Sequence, residues 1–134
     1  MSTQASKKAG ESPLARFPVE MREAVEAALS KKASNVVILD LGHGNAFTDF
    51  FLICSGQNAR QVQAITDAIE ERLRKSFQLK PSHVEGYGES QWVLLDYFDF
   101  IVHVFTPELR EFYALERLWG SAEHVPLTDE SVSP

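Results

Sequence analysis

Apolar and polar positions recur along this chain with two periods, and each change of period marks an element. Between Pro18 and Lys32, Met21, Val25, Ala28 and Leu29 fall three or four apart, the spacing of one helix face. Pro18 suits a first helical position. VVILDL (36–41) is short and almost wholly apolar, which reads as a buried strand. GHGN (42–45) reads as a turn whose glycines tolerate positive φ, and DFFLICS (49–55) as a second buried strand. The strongest helical signal runs from Asn58 to about Phe77. Val62, Ile65, Ile69 and Leu73 make its apolar stripe, and Asn58 is a good N-cap with Gln61 at the capping-box position. Glu70–Arg74 and Glu71–Lys75 are i,i+4 pairs on its wet side. HVEGYG (83–88) is a candidate edge strand ended by its glycines. WVLLDY (92–97) and FIVHVFT (100–106) read as strands joined by a very tight turn at Phe98–Asp99. The last helix starts at the cap-and-proline pair Thr106–Pro107. It is expected to carry Leu109, Phe112, Tyr113 and Trp119 inward and to stop at Gly120.

The order α-β-β-α-β-β-β-α gives an α/β domain with a mixed five-stranded sheet covered by helices. Short strand-to-strand loops imply antiparallel neighbours, and the crossover through 58–77 allows one parallel pair. The folded part is expected over 17–120, between flexible tails at 1–16 and 121–134, which lack periodicity. The full length of 134 residues suits one such domain.

Composition changes this picture only at the margins. The balance of 44% hydrophobic and 24% charged residues is that of a globular protein. A net charge of −6 disfavours extended or sequence-specific nucleic-acid binding and suits a basic protein partner, although it also simply keeps a protein soluble. No apolar run approaches the roughly 20 residues that span a bilayer, so no membrane partner is expected. MSTQASKKAGES has no apolar core of a secretory signal, and the reducing cytoplasm is the simplest compartment. The one cysteine, Cys54, lies in FFLICSG and reads as a buried, inert thiol.

Candidate chemistry is sparse. Ser55–Gly56 ends a strand and leads into a helix, a placement that can bind an anion and that nucleotidyltransferases use. Such enzymes also need two carboxylates converging on Mg²⁺. Here Asp96 and Asp99 stand three apart, an odd spacing that puts strand side chains on opposite faces unless a turn intervenes. His103 sits mid-strand between valines, as a core or partner-bonded histidine does. His43, His83 and His124 show no metal spacing, and no cofactor is expected. A Ser55–His103–Asp99 triad can be written down, but the nucleophile-elbow pattern is missing.

The informative patch is QWVLLDYFD (91–99). By alternation Trp92, Leu94 and Asp96 share one strand face. Either a helix covers that face, or it is an exposed aromatic patch with acidic edges, the anatomy of an interaction hot spot. Glu85 and Gly86 border it. A free strand edge here would also admit another chain, a second copy included.

The runs TDFFLICSG (48–56), RQVQAITDAI (60–69), EG (85–86), WVLLDYFDFIVHVF (92–105) and RxFYxLExLW (110–119) resemble the Iojap-type ribosomal silencing factors, over about 36–120. The resemblance implies a nucleotidyltransferase-like shape without the catalytic carboxylate pair, and a translation repressor that is not an enzyme. Its partner would be the large ribosomal subunit, through the subunit's protein numbered fourteen. Bound at the intersubunit face, the factor would block association with the small subunit when nutrients are short. The implied partner-binding residues are Trp92, then Leu94, Asp96 and Tyr97, with Asp99 and Glu85 as acidic partners for basic side chains. The class that competes with this one is a nucleotide-binding enzyme using Ser55–Gly56. In one place the chain departs from the family: DYFD stands where DYGD is common. Phe98 must then either hold a positive φ, at about 1 kcal/mol, or adopt another turn.

Overall fold

A 3-10 turn at Pro13–Arg16 leads into helix α1 (Val19–Ser30) and strands β1 (Ser34–Asp40) and β2 (Phe50–Ser55). Helix α2 (Ala59–Phe77), strands β3 (His83–Glu85), β4 (Trp92–Asp96) and β5 (Phe100–Phe105), helices α3 (Pro107–Tyr113) and α4 (Leu115–Leu118), and strand β6 (Glu123–Leu127) complete the order. The computed structural model describes residues 13–42 and 48–129. From residue 43 on, the turn expected at 42–45 lies outside the described residues, as do residues 1–12 of the expected N-terminal tail.

The strands form one mixed sheet in the order β3-β4-β5-β2-β1-β6. Its one parallel pair is β2 with β5, in register Phe50↔Phe100 to Ser55↔Phe105. The sheet has six strands, not the five expected. The sixth, EHVPL, lies in the segment read as a C-terminal tail and pairs antiparallel with β1, Val37 opposite Pro126 and Leu39 opposite His124. Short, polar at its start and carrying a proline, it lacks strand periodicity. An edge strand tolerates all three features, and it covers what would otherwise be the bare edge of the apolar β1.

The two faces of the sheet are covered by different elements. The long helices α1 and α2 lie on one face. Val62, Ile65, Ile69 and Leu73 are fully buried there against Val36, Ile38, Leu52, Val93, Leu95, Val102 and Val104. Burying each such side chain contributes about 1.5–3 kcal/mol. Arg72 of α2 reaches Glu23 and Glu26 of α1, at 2.9 and 3.3 Å. Gln61 closes the helix junction. Asn58 Oδ1 caps the Gln61 amide, Gln61 Oε1 accepts from the Gln57 amide, and Gln61 Nε2 donates to the carbonyls of Lys31 and Lys32. Cys54 is fully buried in this layer, where desolvation pushes its thiol up to about 12, as an inert thiol requires.

The opposite face carries Val37, Leu39, Phe51, Ile53, Ile101 and Phe105, all buried; among the described residues the short α3 and α4 are the helices over it, and it opens toward β4 and β3. The single last helix expected from the pattern is broken at Ala114, which has φ +46. Leu109, Leu115 and Trp119 turn inward. Phe112, expected inward, is 76% exposed, and Tyr113 is 46% exposed. Adjacent helical residues point about 100° apart, so both could not face the sheet.

The β4–β5 connection resolves the question raised by Phe98. Tyr97 N donates to the Phe100 carbonyl and Asp99 N to the Tyr97 carbonyl, and Phe98 has φ +77. A bond from residue i+2 back to residue i around a central φ of +77 is a γ-turn of the positive-φ kind, rare and strained for a residue that carries a side chain. Phe98 therefore holds the left-handed conformation, with its side chain 75% exposed. Phe98→Gly should relieve about 1 kcal/mol of strain, partly offset by greater freedom in the unfolded chain. A net gain of about 0.5 kcal/mol is expected in urea denaturation; a loss would refute the strain.

Candidate partner-binding surface

Strand β4 divides its side chains between the two faces. Val93 and Leu95 are fully buried under the long helices, whereas Trp92, Leu94 and Asp96 are half-buried on the opposite side. Register extends the second set. Glu85 lies opposite Leu94 and His83 opposite Asp96 on β3; His103 lies opposite Leu94 and Phe105 opposite Trp92 on β5. The half-covered face thus begins at the β3 edge, where every residue is exposed.

Trp92 is fixed from several directions. Its ring stacks on Phe105 with centroids 4.9 Å apart and meets Tyr113 at 4.6 Å. Its Nε1 donates to Nδ1 of His103 at 3.1 Å. That bond requires a bare Nδ1, so the neutral imidazole carries its proton on Nε2. His103 is buried beside Phe51 and Phe105, and desolvation pushes it down to about 3. Unfolded, it would titrate near 6.5, so between these values the unfolded chain binds a proton that the folded chain does not. Stability should therefore fall as pH drops below 6.5, with His103 contributing up to about 1.4 kcal/mol per pH unit. His103→Phe should flatten the dependence by that slope in urea titrations between about pH 4.5 and 6. An unchanged slope would refute the assignment.

The remaining sequence-selected residues separate. Glu85 is exposed and pairs with His83 at 2.7 Å. Asp96 accepts from the Phe98 amide at 2.8 Å, which braces the turn, and Asp99 is exposed at its tip. Tyr97 is a correction to the set. It is only 5% exposed, on the opposite face, where it stacks on Phe100 at 5.2 Å. The alternation that groups Trp92, Leu94 and Asp96 sends Tyr97 the other way. Phe112 and Tyr113 join the surface instead, their rings 4.9 Å apart. Their adjacency was the available signal; the break at Ala114 that displays them had none.

Ser55 and Gly56 are occupied within the fold. Arg110 Nη1 donates to Ser55 Oγ at 2.9 Å, and Glu116 holds the same guanidinium. The Gly56 amide donates to the Phe105 carbonyl, and a Cβ on Gly56 would lie 3.0 Å from the Val62 nitrogen. This glycine admits close strand–helix packing. With Gly56, Gln57 and Gln61 amides already bonded, the turn serves as a structural junction. Among the described residues no group of three or more His, Cys, Asp or Glu side chains could hold a metal ion, and no helix is long and apolar enough to cross a membrane.

A family model described as ribosomal silencing factor during starvation matches residues 15–134. This chain belongs to the ribosomal silencing factor family. A Halalkalibacterium halodurans protein named ribosomal silencing factor RsfS is 41% identical over 104 residues, 78% of this chain and 88% of that one. A mouse protein named mitochondrial assembly of ribosomal large subunit protein 1 is 26% identical over 108 residues, 78% of this chain and 46% of its own length. A crystal structure from Chromobacterium violaceum superposes with a TM-score of 0.72 at 29% identity, covering 75% of this chain and 83% of that one. The family and the α/β fold expected from the motifs are thus both found. The family's named bacterial members are silencing factors, regulators by name rather than enzymes.

Proposed function

We propose that this protein represses translation by binding the large ribosomal subunit, through the subunit's protein numbered fourteen, and excluding the small subunit by bulk. The observation that carries this reading is the sheet face of a ribosomal silencing factor where it opens at β4 and β3, with Trp92 at one end of β4, Asp96 and Asp99 toward the other and Glu85 beside Leu94 between them. The reducing cytoplasm is its compartment. Exclusion needs no chemistry: helix α2 alone, at 19 residues, is about 28 Å long, enough to separate two surfaces that must touch. An acidic protein suits a basic protein partner better than a phosphate backbone. While the factor is free, a second copy would cover the exposed Phe112, which light scattering would report as a dimer.

Purified protein mixed with separated subunits should travel with large subunits through a density gradient, not with small ones, and should reduce their joining. Raising salt should weaken the complex, since exposed charge attraction is screened within about 10 Å at 0.1 M. Protein left at the top of the gradient while large subunits sediment would overturn the reading.

A further inference from the structure

Between the β3–β4 loop and α3 lies a cleft of about 380 Å³, walled by Trp92, Tyr113 and Leu109, with Glu89 among its lining residues. The loop that shapes it is tightly bonded. Ser90 is buried, its hydroxyl donates to the Tyr87 carbonyl at 2.6 Å, and its amide donates to the Gly86 carbonyl at 2.9 Å. Gly86 packs directly on the Trp92 carbonyl, whereas a Cβ on Gly88 would meet nothing within 4 Å, so the mouth stays open. Two aromatic rings and an aliphatic side chain thus line a preformed slot that also holds a carboxylate.

The one charged residue that lines the slot is Glu89, and the segment that builds the slot carries charge of one sign. Residues 82–109 contain Glu85, Glu89, Asp96, Asp99 and Glu108 and no lysine or arginine. The next cation along the chain, Arg110, is bonded to Ser55 and Glu116 and lines a different hollow. We infer that the slot receives an arginine or lysine side chain of the partner, its aliphatic stem along Leu109, its cation against Trp92 and Tyr113 and paired with Glu89. An apolar side chain would bury the Glu89 carboxylate without a partner, and an acidic one would be repelled. A cation gains from both the ring faces and the carboxylate, and a guanidinium also stacks on aromatic planes. This inference rests on the reading of the half-covered face as a docking surface and names what that face grips.

The test uses the full-length, ¹⁵N-labelled protein, with the two tryptophan indole resonances told apart by Trp92→Phe. Titration with N-acetyl-arginine amide should shift the Trp92 indole and leave that of Trp119 in place. Glu89→Gln should weaken this binding about tenfold. An equal shift with N-acetyl-norleucine amide would make the slot merely apolar, and no shift with the arginine amide would mean that it takes no cation; either result overturns the inference. On large subunits, Glu89→Gln should lower affinity about tenfold, while Glu71→Gln, on α2 across the sheet, should not. Equal binding by both variants would also overturn it. Should the wild-type protein itself fail to sediment with large subunits, the proposed function falls, and the amide titration still decides the slot.

Discussion

Trp92→Ala should remove the protein from the large-subunit fraction of a gradient, with affinity falling roughly 30-fold or more. Loss of a tryptophan that anchors an interface is the kind of truncation that costs about 2 kcal/mol or more. The side chain also stacks on Phe105 and Tyr113 and donates to His103, so some stability must go with it. A drop of about 2 kcal/mol is expected, because the residue is only half-buried and a bare acceptor is left on His103. The core beneath α1 and α2 does not include Trp92, so the chain should still unfold cooperatively. Trp92→Phe separates the two roles, since it keeps a stacking ring and lacks the donor. A folded Trp92→Ala protein that still travels with large subunits would place the interface elsewhere.

Gly86→Ala should cost about 3 kcal/mol or more in urea denaturation, or displace the whole β3–β4 loop. Gly86 has φ +84, which an L side chain rarely adopts, and a Cβ there would stand 2.0 Å from the Trp92 carbonyl oxygen. The atom in the way is backbone, so no rotamer change can yield. Gly88→Ala, two residues on, is the matched control. It meets nothing within 4 Å and should stay within about 0.5 kcal/mol of wild type. If Gly86→Ala matched it, the close approach that seats Trp92 beside the slot would be wrong.

Most of the fold was legible because burial is unequal and periodic. The stripe of Val62, Ile65, Ile69 and Leu73 named a helix and its inner face at once, and the continuous apolar runs of β1, β2 and β5, too short for helices, read as buried strands. Strand β6 was illegible because it is held by its pairing with β1 rather than by a pattern of its own. The break at Ala114 was illegible for a related reason. Alanine favours helix, and nothing local announces that Arg110 will reach forward to Glu116 and across to Ser55. The candidate surface was half-visible. Alternation placed Trp92, Leu94 and Asp96 together and, applied one residue further, removes Tyr97. Phe112 and Tyr113 join them only through the third dimension.

The parallel pairing of β2 with β5 bears on how the molecule comes together. Phe50 and Phe100 are partners fifty positions apart, while β1 with β2, β3 with β4, and β4 with β5 make neighbours of nearby residues. Two local ribbons can zip early, but the ladder between them must wait for a long intervening stretch to be reeled in, and that closure carries the entropic cost. The middle of the sheet is thus the join that turns two local ribbons into one layer, and the pairing of β6 with β1, still more distant in sequence, becomes a short closure once that join is made.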